Sequence, residues 1–400
     1  MTALSCLLSL LLSPASAAGF VKARGAELIA PDGKPLITKG IGLGNWLVPE
    51  GYMFHFEKVV APRQIQEVFE ELVGPEEARQ FWERWYDEYT AKEDLLRIRS
   101  LGFDLIRIPF NAKLLNPEEH PELWDERQLN RLERTVDWAK EAGLWVVLDL
   151  HAAHGGQTGD NIDDSAGTPW LYESEASRAR TLEVWQRVAE RFKDEPAVLG
   201  YELLNEPIAD HADKKKYNPM LEPLYRDIVE AIREADQEHL IFLGGAQWNT
   251  EFSMFKSTFD PNTAYAFHRY WADPSDAGLK TYLETRARLG APMWMSESGE
   301  NTDEWVAAFR TTLEKNGIGW AFWPYKKMDS TSSVVSFERP PHWDKVIAYA
   351  DKLRGGTYEE KRKARPTLQE SREALEGLLK NIRLERCRTN EGYLKALGLK

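Results

Sequence analysis

Cysteine is scarce in this 400-residue sequence, in which Cys6 and Cys387 are the two cysteines. Removal of the predicted leader described below would leave Cys387 alone, which excludes an internal disulfide and a cysteine-based metal site. Positive charge is also in short supply, since 64 Asp and Glu oppose 51 Lys and Arg and give a formal net charge of −13. This charge opposes sequence-independent binding to a phosphate backbone, so we expect no nucleic acid partner.

Long apolar runs are missing after the first 20 residues, and no later segment approaches the roughly 18 residues that a membrane-spanning helix needs. A short apolar run at residues 3–12 is followed by small residues around Ala15 and Ala17, although no Lys or Arg precedes it. This is the pattern of a signal peptide. We therefore predict a leader over residues 1–18, no membrane partner, and a secreted or periplasmic protein.

Aromatic residues, by contrast, are abundant, with 15 Trp, 14 Tyr and 16 Phe. Most belong in a core, but their number exceeds what core filling needs, and flat rings in a cleft are well suited to stacking on sugar faces. A chain of this length with 42% hydrophobic residues can bury one large α/β barrel or two smaller domains.

Eight short apolar runs alternate with longer amphipathic, charge-rich segments that have apolar residues at helical spacing. The runs are TKGIGLG (38–44), DLIRIPF (104–110), LWVVLDLH (144–151), VLGYELLN (198–205), LIFLGGA (240–246), AYAFHRY (264–270), PMWMSES (292–298) and GIGWAFWP (317–324). Apolar strands that are each followed by a helix are typical of a parallel sheet covered by helices. The pattern predicts an α/β fold, a (β/α)8 TIM barrel, with a doubly wound open sheet as the alternative.

Polar side chains collect near the carboxyl ends of these predicted strands. They are Arg107, His151, Asn205, Glu206, His268, Tyr270, Glu297 and Trp323. In a barrel the strand ends converge on one face, where active sites are built, whereas an open sheet would scatter them along an edge. The placement favours the barrel.

Two of these residues are glutamates, Glu206 in YELLNEP and Glu297 in WMSESGE. A single glutamate after a strand is usually a charge at a helix N-terminus. A pair that faces one cleft is the machinery of glycoside hydrolysis, in which one carboxyl protonates the leaving oxygen while the other attacks the sugar or activates water. Both work near neutral pH only if their surroundings push their pKa values apart.

The motifs YELLNEP, LGFDLIRIPF, LDLHAAHGGQ, AFHRY, PMWMSESG and GWAFWPYK resemble, in order and strand position, those of family 5 glycoside hydrolases of clan A. The opening GIGLGNWLVPEGYMF resembles that family's first strand and loop, and the match spans residues 27–353. The resemblance implies a retaining hydrolase with Glu206 as acid/base and Glu297 as nucleophile. Ser296 and Ser298 flank Glu297 where the family often has Gly and Phe, which weakens any subfamily assignment.

Supporting roles follow from the resemblance and from side-chain chemistry. Arg107 can hold the nucleophile ionised, Asn205 can donate to the sugar 2-hydroxyl, and Tyr270 can donate to Glu297. His151 and His268 are predicted to bind sugar hydroxyl groups, and Trp323 to floor the subsite of the cleaved sugar. The aromatic residues expected to line or border the cleft are Trp46, Tyr52, Trp248 and Trp323.

Two competing assignments are weaker. Glu300 lies past the strand, in the loop, and is a poorer nucleophile candidate than Glu297. His151 and His154 form an i, i+3 pair that could suggest a metal, but no third ligand has matching spacing. We therefore expect no metal and no cofactor.

The predicted organisation is a signal peptide at 1–18, a catalytic barrel at 19–353, and a charged linker with a helical extension at 354–400. A helical insert after the first strand, residues 57–90, is longer than a barrel connection needs and is a candidate wall of the cleft. The extension has one aromatic residue after Tyr358, so we expect it to pack on the barrel rather than to form a carbohydrate-binding module.

The sequence predicts a monomeric retaining glycosidase acting on oligo- or polysaccharides, most plausibly β-glucans or β-glucosides. Mannan, xyloglucan, glycosylceramide and arabinofuranosyl or galactofuranosyl side chains are alternative substrates, and endo or exo action stays open. An inactive carbohydrate-binding barrel is disfavoured, because a pure binder has no need of two costly buried carboxylates. A metal-dependent barrel hydrolase is the third alternative.

Overall fold

A computed structural model describes residues 19–160, 162–165 and 167–399. The predicted leader, residues 1–18, lies outside the described residues. Thirteen strands are present in the described chain. They are β1 (Lys22–Arg24), β2 (Glu27–Ile29), β3 (Lys39–Gly42), β4 (Leu105–Asn111), β5 (Trp145–Ala152), β6 (Val198–Glu202), β7 (Leu240–Gly244), β8 (Thr263–His268), β9 (Met293–Glu297), β10 (Trp320–Phe322), β11 (Lys326–Met328), β12 (Val335–Phe337) and β13 (Arg388–Thr389).

Fourteen α-helices accompany these strands in the described chain. They are α1 (Pro62–Val73), α2 (Pro75–Glu88), α3 (Lys92–Ser100), α4 (Ala112–Leu115), α5 (Glu126–Ala142), α6 (Glu175–Phe192), α7 (Lys214–Ala235), α8 (Ala246–Asn249), α9 (Asp276–Leu289), α10 (Asp303–Lys315), α11 (Trp343–Leu353), α12 (Tyr358–Ala364), α13 (Leu368–Asn381) and α14 (Glu391–Ala396). None of them combines the length and the apolar content that crossing a membrane requires.

Strands β3 to β10 close into a parallel barrel in which β10 pairs with β3. Each of the eight predicted runs supplies one of these strands, so the predicted (β/α)8 barrel is confirmed. The strands are buried along their whole length apart from Lys39, because helices cover the outside and side chains fill the inside.

The inside of the barrel changes from apolar to charged along the strand direction. On β4 and β5, Leu105, Trp145 and Val147 belong to an apolar cluster in the lower barrel. The hairpin of β1 and β2 covers that end, and its Val21 and Leu28 join the same cluster. Because inward residues alternate along a strand, the next inward position on β4 is Arg107, which stands at the base of the cleft.

The predicted insert forms α1 and α2, which pack beside the barrel. Its aromatic side chains form a cluster in which Phe69 stacks on Trp82, with ring centroids 5.0 Å apart. Trp343 of α11 completes this cluster by donating from its indole N–H to the carbonyl of Phe54. No described residue of the insert lines the cleft. The insert, which was a candidate wall of the cleft, therefore packs beside the barrel instead.

The C-terminal extension returns to the barrel instead of trailing from it. Helix α13 packs against α1 and α2, and α14 packs against α10. Strand β13 pairs antiparallel with β12, which follows the eighth barrel strand. The extension therefore lies against both the insert and the loop after β10.

Candidate active site

One cavity of about 540 Å³ opens at the carboxyl ends of the barrel strands. Its lining residues are Glu50, Tyr52, Ile162, Glu206, Trp248, Thr250, His268, Arg269, Tyr270, Trp271, Glu297, Glu300 and Trp323. Seven of the residues predicted for the site or its border therefore face a common space, because strands that are far apart in sequence end at one mouth.

Glu297 is the last residue of β9, and two donors hold its carboxylate. The guanidinium of Arg107 donates from Nη1 to Oε2 at 2.8 Å. The hydroxyl of Tyr270 donates to Oε1 at 2.8 Å. Burial raises the pKa of Glu297, and the positive charge of Arg107 acts in the opposite direction. With both oxygens engaged, the carboxylate is fixed in one orientation toward the cavity.

Arg107 is completely buried and contacts more than Glu297. Its Nε donates to Glu202 at 2.6 Å, and its Nη2 donates to the side-chain oxygen of Asn205 at 2.7 Å and lies 3.1 Å from Asp149. Burial alone would lower the pKa of the guanidinium, but the surrounding carboxylates raise it, so the charge is permanent. The guanidinium of Arg107 thus orients both the carboxylate of Glu297, at the end of β9, and the amide of Asn205, after β6.

Glu206 follows β6 on a strained piece of backbone. Its φ is 43°, and that of Ile208 is 61°, a region that residues other than glycine rarely adopt. Gln157, from the loop after β5, supports this turn by donating to the carbonyl of Asn205 at 2.9 Å and accepting from the N–H of Ile208 at 3.0 Å. Such strain persists where surrounding contacts impose it, which is typical of functional sites.

The environment of Glu206 favours the protonated carboxyl group. Burial raises its pKa to about 7. Burial also lowers the pKa of His268 to about 4, so the imidazole is neutral at pH 7. His268 Nδ1 lies 2.6 Å from Glu206 Oε1 and bridges toward the second carboxyl group, with the ligand atoms of Glu206, His268 and Glu297 all within 4.8 Å of one another.

His151 has a different place from the one predicted. Its Nδ1 lies 2.7 Å from Asp149, and its Nε2 lies 3.3 Å from the amide nitrogen of Asn205. Burial lowers its pKa to about 4, so the neutral ring donates from Nδ1 and accepts at Nε2. Both nitrogens are engaged, and the ring orients Asn205; sugar-hydroxyl binding by His151 stays a prediction.

Trp323 lines the cavity as predicted, with one face against the ring of His151 at a centroid distance of 5.7 Å. Its indole N–H donates to the hydroxyl of Tyr52 at 2.9 Å, which also lines the cavity. Trp248 lies on the other side of the mouth, after β7.

The predicted position of Trp46 is wrong. Its ring is 1% exposed and lies in the core beside α2, where its indole N–H donates to the carbonyl of Tyr86 at 2.8 Å. Asn45, the residue before Trp46, has a φ of 64°. The apolar ring of Trp46 is therefore buried among the aromatic residues of the insert, which sequence spacing did not reveal.

Several residues of the site were missed from sequence. Asp149 and Glu202 lie within the apolar runs LDLH and YELLNEP, where a charged residue in mid-strand is itself a signal of a buried ion pair. Trp271 follows Tyr270 and is 72% exposed at the rim. Glu300 lines the cavity and forms an ion pair with Lys327.

Within the described residues, the groups close enough to hold a cation are Glu206, His268 and Glu297. These are the same groups that face the cavity as the carboxylate pair. His154 is not among them; its Nδ1 lies 3.7 Å from Glu118, outside the cavity.

A closed parallel barrel with two buried glutamates facing one cleft defines the class of protein as a carbohydrate-active (β/α)8 barrel. The model of the cellulase family, glycosyl hydrolase family 5, matches residues 67–329. The chain therefore belongs to glycosyl hydrolase family 5.

Known proteins of several activities are similar to this chain. A Beta-xylosidase from Phanerodontia chrysosporium is 29% identical over 72% of this chain and 59% of its own length. Endoglucanase C from Acetivibrio thermocellus is 24% identical over 62% of this chain and 88% of its own length. The crystal structure of an endogalactoceramidase has a TM-score of 0.60 at 17% identity and covers 95% of this chain and 84% of that one. The chain thus spans less than two thirds of the Beta-xylosidase.

Proposed function

We propose that this protein is a retaining glycoside hydrolase that cleaves β-linked glucans or β-glucosides. The observation that carries the proposal is the closeness of the two glutamates, whose oxygens lie within 4.8 Å across the cavity. Retaining enzymes hold their carboxyl groups about 5 to 5.5 Å apart, whereas inverting enzymes leave about 6.5 to 9.5 Å for a water molecule.

The surroundings of each glutamate support a separate role. Glu297, held by Arg107 and Tyr270, attacks the anomeric carbon as its bond to the leaving oxygen breaks. Glu206, with its pKa at about 7, donates its proton to that oxygen. The second step reverses the roles: Glu206 takes a proton from water, the water oxygen bonds to the anomeric carbon, and Glu297 leaves. The configuration of the sugar is retained after two inversions.

The substrate assignment rests on the relatives and on the rim of the cleft. The names Beta-xylosidase and Probable glucan 1,3-beta-glucosidase A describe action on β-linked sugars, and the name Endoglucanase C describes action on a glucan. A β-glycoside with an apolar leaving group is the second candidate. It is favoured by Trp271, 72% exposed on the rim beyond Tyr270, and by Trp248 on the same side as Glu206. The leader pattern at residues 1–18 supports export as part of the proposal.

The test compares Glu206→Ala and Glu297→Ala on an aryl β-glucoside with a good leaving group and on cellooligosaccharides, each with and without azide. Without azide, Glu297→Ala should be inactive on every substrate, because no nucleophile remains. Glu206→Ala should still form the glycosyl-enzyme from the activated substrate, because dinitrophenolate leaves without a proton. Azide should then release a β-glycosyl azide.

Two results would contradict the proposal. If azide rescues Glu297→Ala with a glycosyl azide of retained configuration and does not rescue Glu206→Ala, the two roles are exchanged. If a product of inverted configuration forms from the wild-type protein, the retaining mechanism is wrong. The panel should include xylosides, mannans and glycosylceramide. Loss of activity after chelation would favour a metal-dependent hydrolase at the same three residues.

A further inference from the structure

A third buried carboxyl group lies in the cleft and has no part in the proposed chemistry. Glu50 lines the cavity and is 5% exposed. Its backbone N–H donates to the side-chain oxygen of Asn45 at 3.0 Å, but its Oε1 has no hydrogen-bond partner among the described residues. Burying an unpaired carboxyl group costs free energy, so its presence in the cavity wall indicates a partner supplied by a ligand.

The position of Glu50 identifies which part of the ligand it meets. Glu50 follows β3, which pairs with β10, the strand that leads to Trp323. Tyr52, two residues on, accepts from the indole N–H of Trp323 at 2.9 Å. Glu206 follows β6, which is half-way around the eight-stranded barrel from β10 and three strands from β3. Glu50 therefore shares the side of the cleft with Trp323, which is predicted to lie under the sugar that becomes bonded to Glu297.

Glu50 has no ion-pair partner among the described residues. The positive charge of Lys327 acts on Glu50, but Lys327 forms its ion pair with Glu300 and lies 4.5 Å from the centre of the Tyr52 ring. Burial, followed by the charge of Glu297, raises the pKa of Glu50 well above its usual range. A neutral carboxyl group both accepts and donates, which suits a pair of sugar hydroxyl groups.

We propose that Glu50 is a specificity-determining residue that binds hydroxyl groups of the glycone sugar, on the side of the ring away from the scissile bond. This proposal rests on the proposed function. The ligand class is a neutral sugar with a free hydroxyl group at carbon 3, 4 or 6.

The test combines substitutions of Glu50 with removal of single hydroxyl groups from the substrate, as in a double-mutant cycle, and measures kcat/KM for each combination. The substrates are nitrophenyl β-glucoside and its three derivatives that lack the hydroxyl at carbon 3, 4 or 6. If xylosides are the better substrates, the series is the parent xyloside and its 3-deoxy and 4-deoxy derivatives. The variants are Glu50→Ala and Glu50→Gln. Asp94→Asn is the matched control, because Asp94 is a buried carboxylate outside the cavity that pairs with Lys326.

We expect Glu50→Ala to lower kcat/KM on the parent glucoside by about 10- to 100-fold. The same variant should have little effect on one deoxy derivative, because that derivative already lacks the hydroxyl group that Glu50 binds. Glu50→Gln, which keeps the shape of a neutral carboxyl group, should lose less than Glu50→Ala. Asp94→Asn should change all substrates by the same factor.

Equal losses of Glu50→Ala on all four substrates, or no loss at all, would overturn the proposal. If Glu50→Ala does not fold, the wild-type protein still tests the proposal. Equal kcat/KM of the wild type on the parent glucoside and on every deoxy derivative would overturn the proposed role of Glu50. A wild-type protein that hydrolyses no glycoside overturns the proposed function, whereas turnover with an additive cycle overturns only the role of Glu50.

Discussion

At the scale of single residues, Glu206 shows how catalysis and stability oppose each other. The same burial that raises its pKa to about 7 makes the ionised form unfavourable in the folded protein. Its backbone is also in the left-handed region, with φ at 43°. Both features suit a proton donor held at a fixed place, and neither contributes to folding.

We predict that Glu206→Gln stabilises the protein at high pH and has little effect at low pH. Because the folded pKa is above the usual value of 4.5, the unfolded chain releases this proton first as the pH rises. Wild-type stability from this group is therefore complete below pH 4.5 and lost through about pH 7, by at most about 3 kcal/mol. The uncharged amide does not titrate and should still accept from His268.

The measurement is the melting temperature of both proteins between pH 4 and pH 8. Glu230→Gln is the control, since Glu230 is exposed on α7, and it should give a difference that does not change with pH. A Glu206→Gln protein that melts below the wild type at pH 8 would contradict the burial argument.

At the scale of elements, β3 and the residues after it are shaped by Trp323. A Cβ atom added at Gly42 or at Gly44 would lie 2.5 Å from the ring of Trp323. Neither glycine has a positive φ, so the requirement is for space and not for backbone freedom. The glycines of the run GIGLG thus leave room for the indole of Trp323 between β3 and the ring of His151.

We predict that Gly44→Ala displaces Trp323 and lowers kcat/KM on β-glucosides by about 10-fold or more, with a loss of about 1 to 3 kcal/mol in stability from overpacking. Gly355→Ala is the control, because a Cβ there meets no atom within 4 Å. Steady-state kinetics and thermal unfolding of the two variants test this. Wild-type kinetics in Gly44→Ala would show that the indole does not need this position.

At the scale of the whole molecule, the last helix of the chain reaches the cleft. Tyr393 of α14 is fully buried, and its hydroxyl donates to the carbonyl of Trp323 at 3.1 Å. A Cβ atom at Gly299, two residues after Glu297, would lie 2.8 Å from the same hydroxyl. The extension therefore supports the backbone of both Trp323 and the loop after β9.

We predict that Tyr393→Phe raises KM or lowers kcat on glycosides several-fold, because Trp323 loses a backbone contact, while stability falls by about 0.5 to 1.5 kcal/mol. Tyr358→Phe is the matched control, since Tyr358 lies in the same extension and is 82% exposed. The measurement is kcat and KM of the two variants under conditions in which the same fraction of each protein is folded. Equal activity in both would mean that the extension stabilises the barrel without positioning the site.

Sequence analysis predicted the strands well and the interior of the site less well. The eight runs were found because apolar residues mark every strand of a barrel covered on both sides. Asp149, Glu202 and Gln157 were missed, because their partners lie on other strands or loops and no local pattern records the pairing. Trp46 was misplaced for a similar reason, since an aromatic residue near a strand end is compatible with the cleft and with the core.

The sequence by itself determined the barrel, the carboxyl ends on which the polar residues lie, and the two glutamates, because strand periodicity and strand ends are local properties of the chain. The folded barrel shows that Arg107 and Tyr270 hold the carboxylate of Glu297, whereas burial raises the pKa of Glu206 to about 7. It alone also brought Glu50 and Tyr393 to Trp323 from residues far apart in the chain. Distances and desolvation depend on neighbours that the folded barrel assembles, so they cannot be read from spacing.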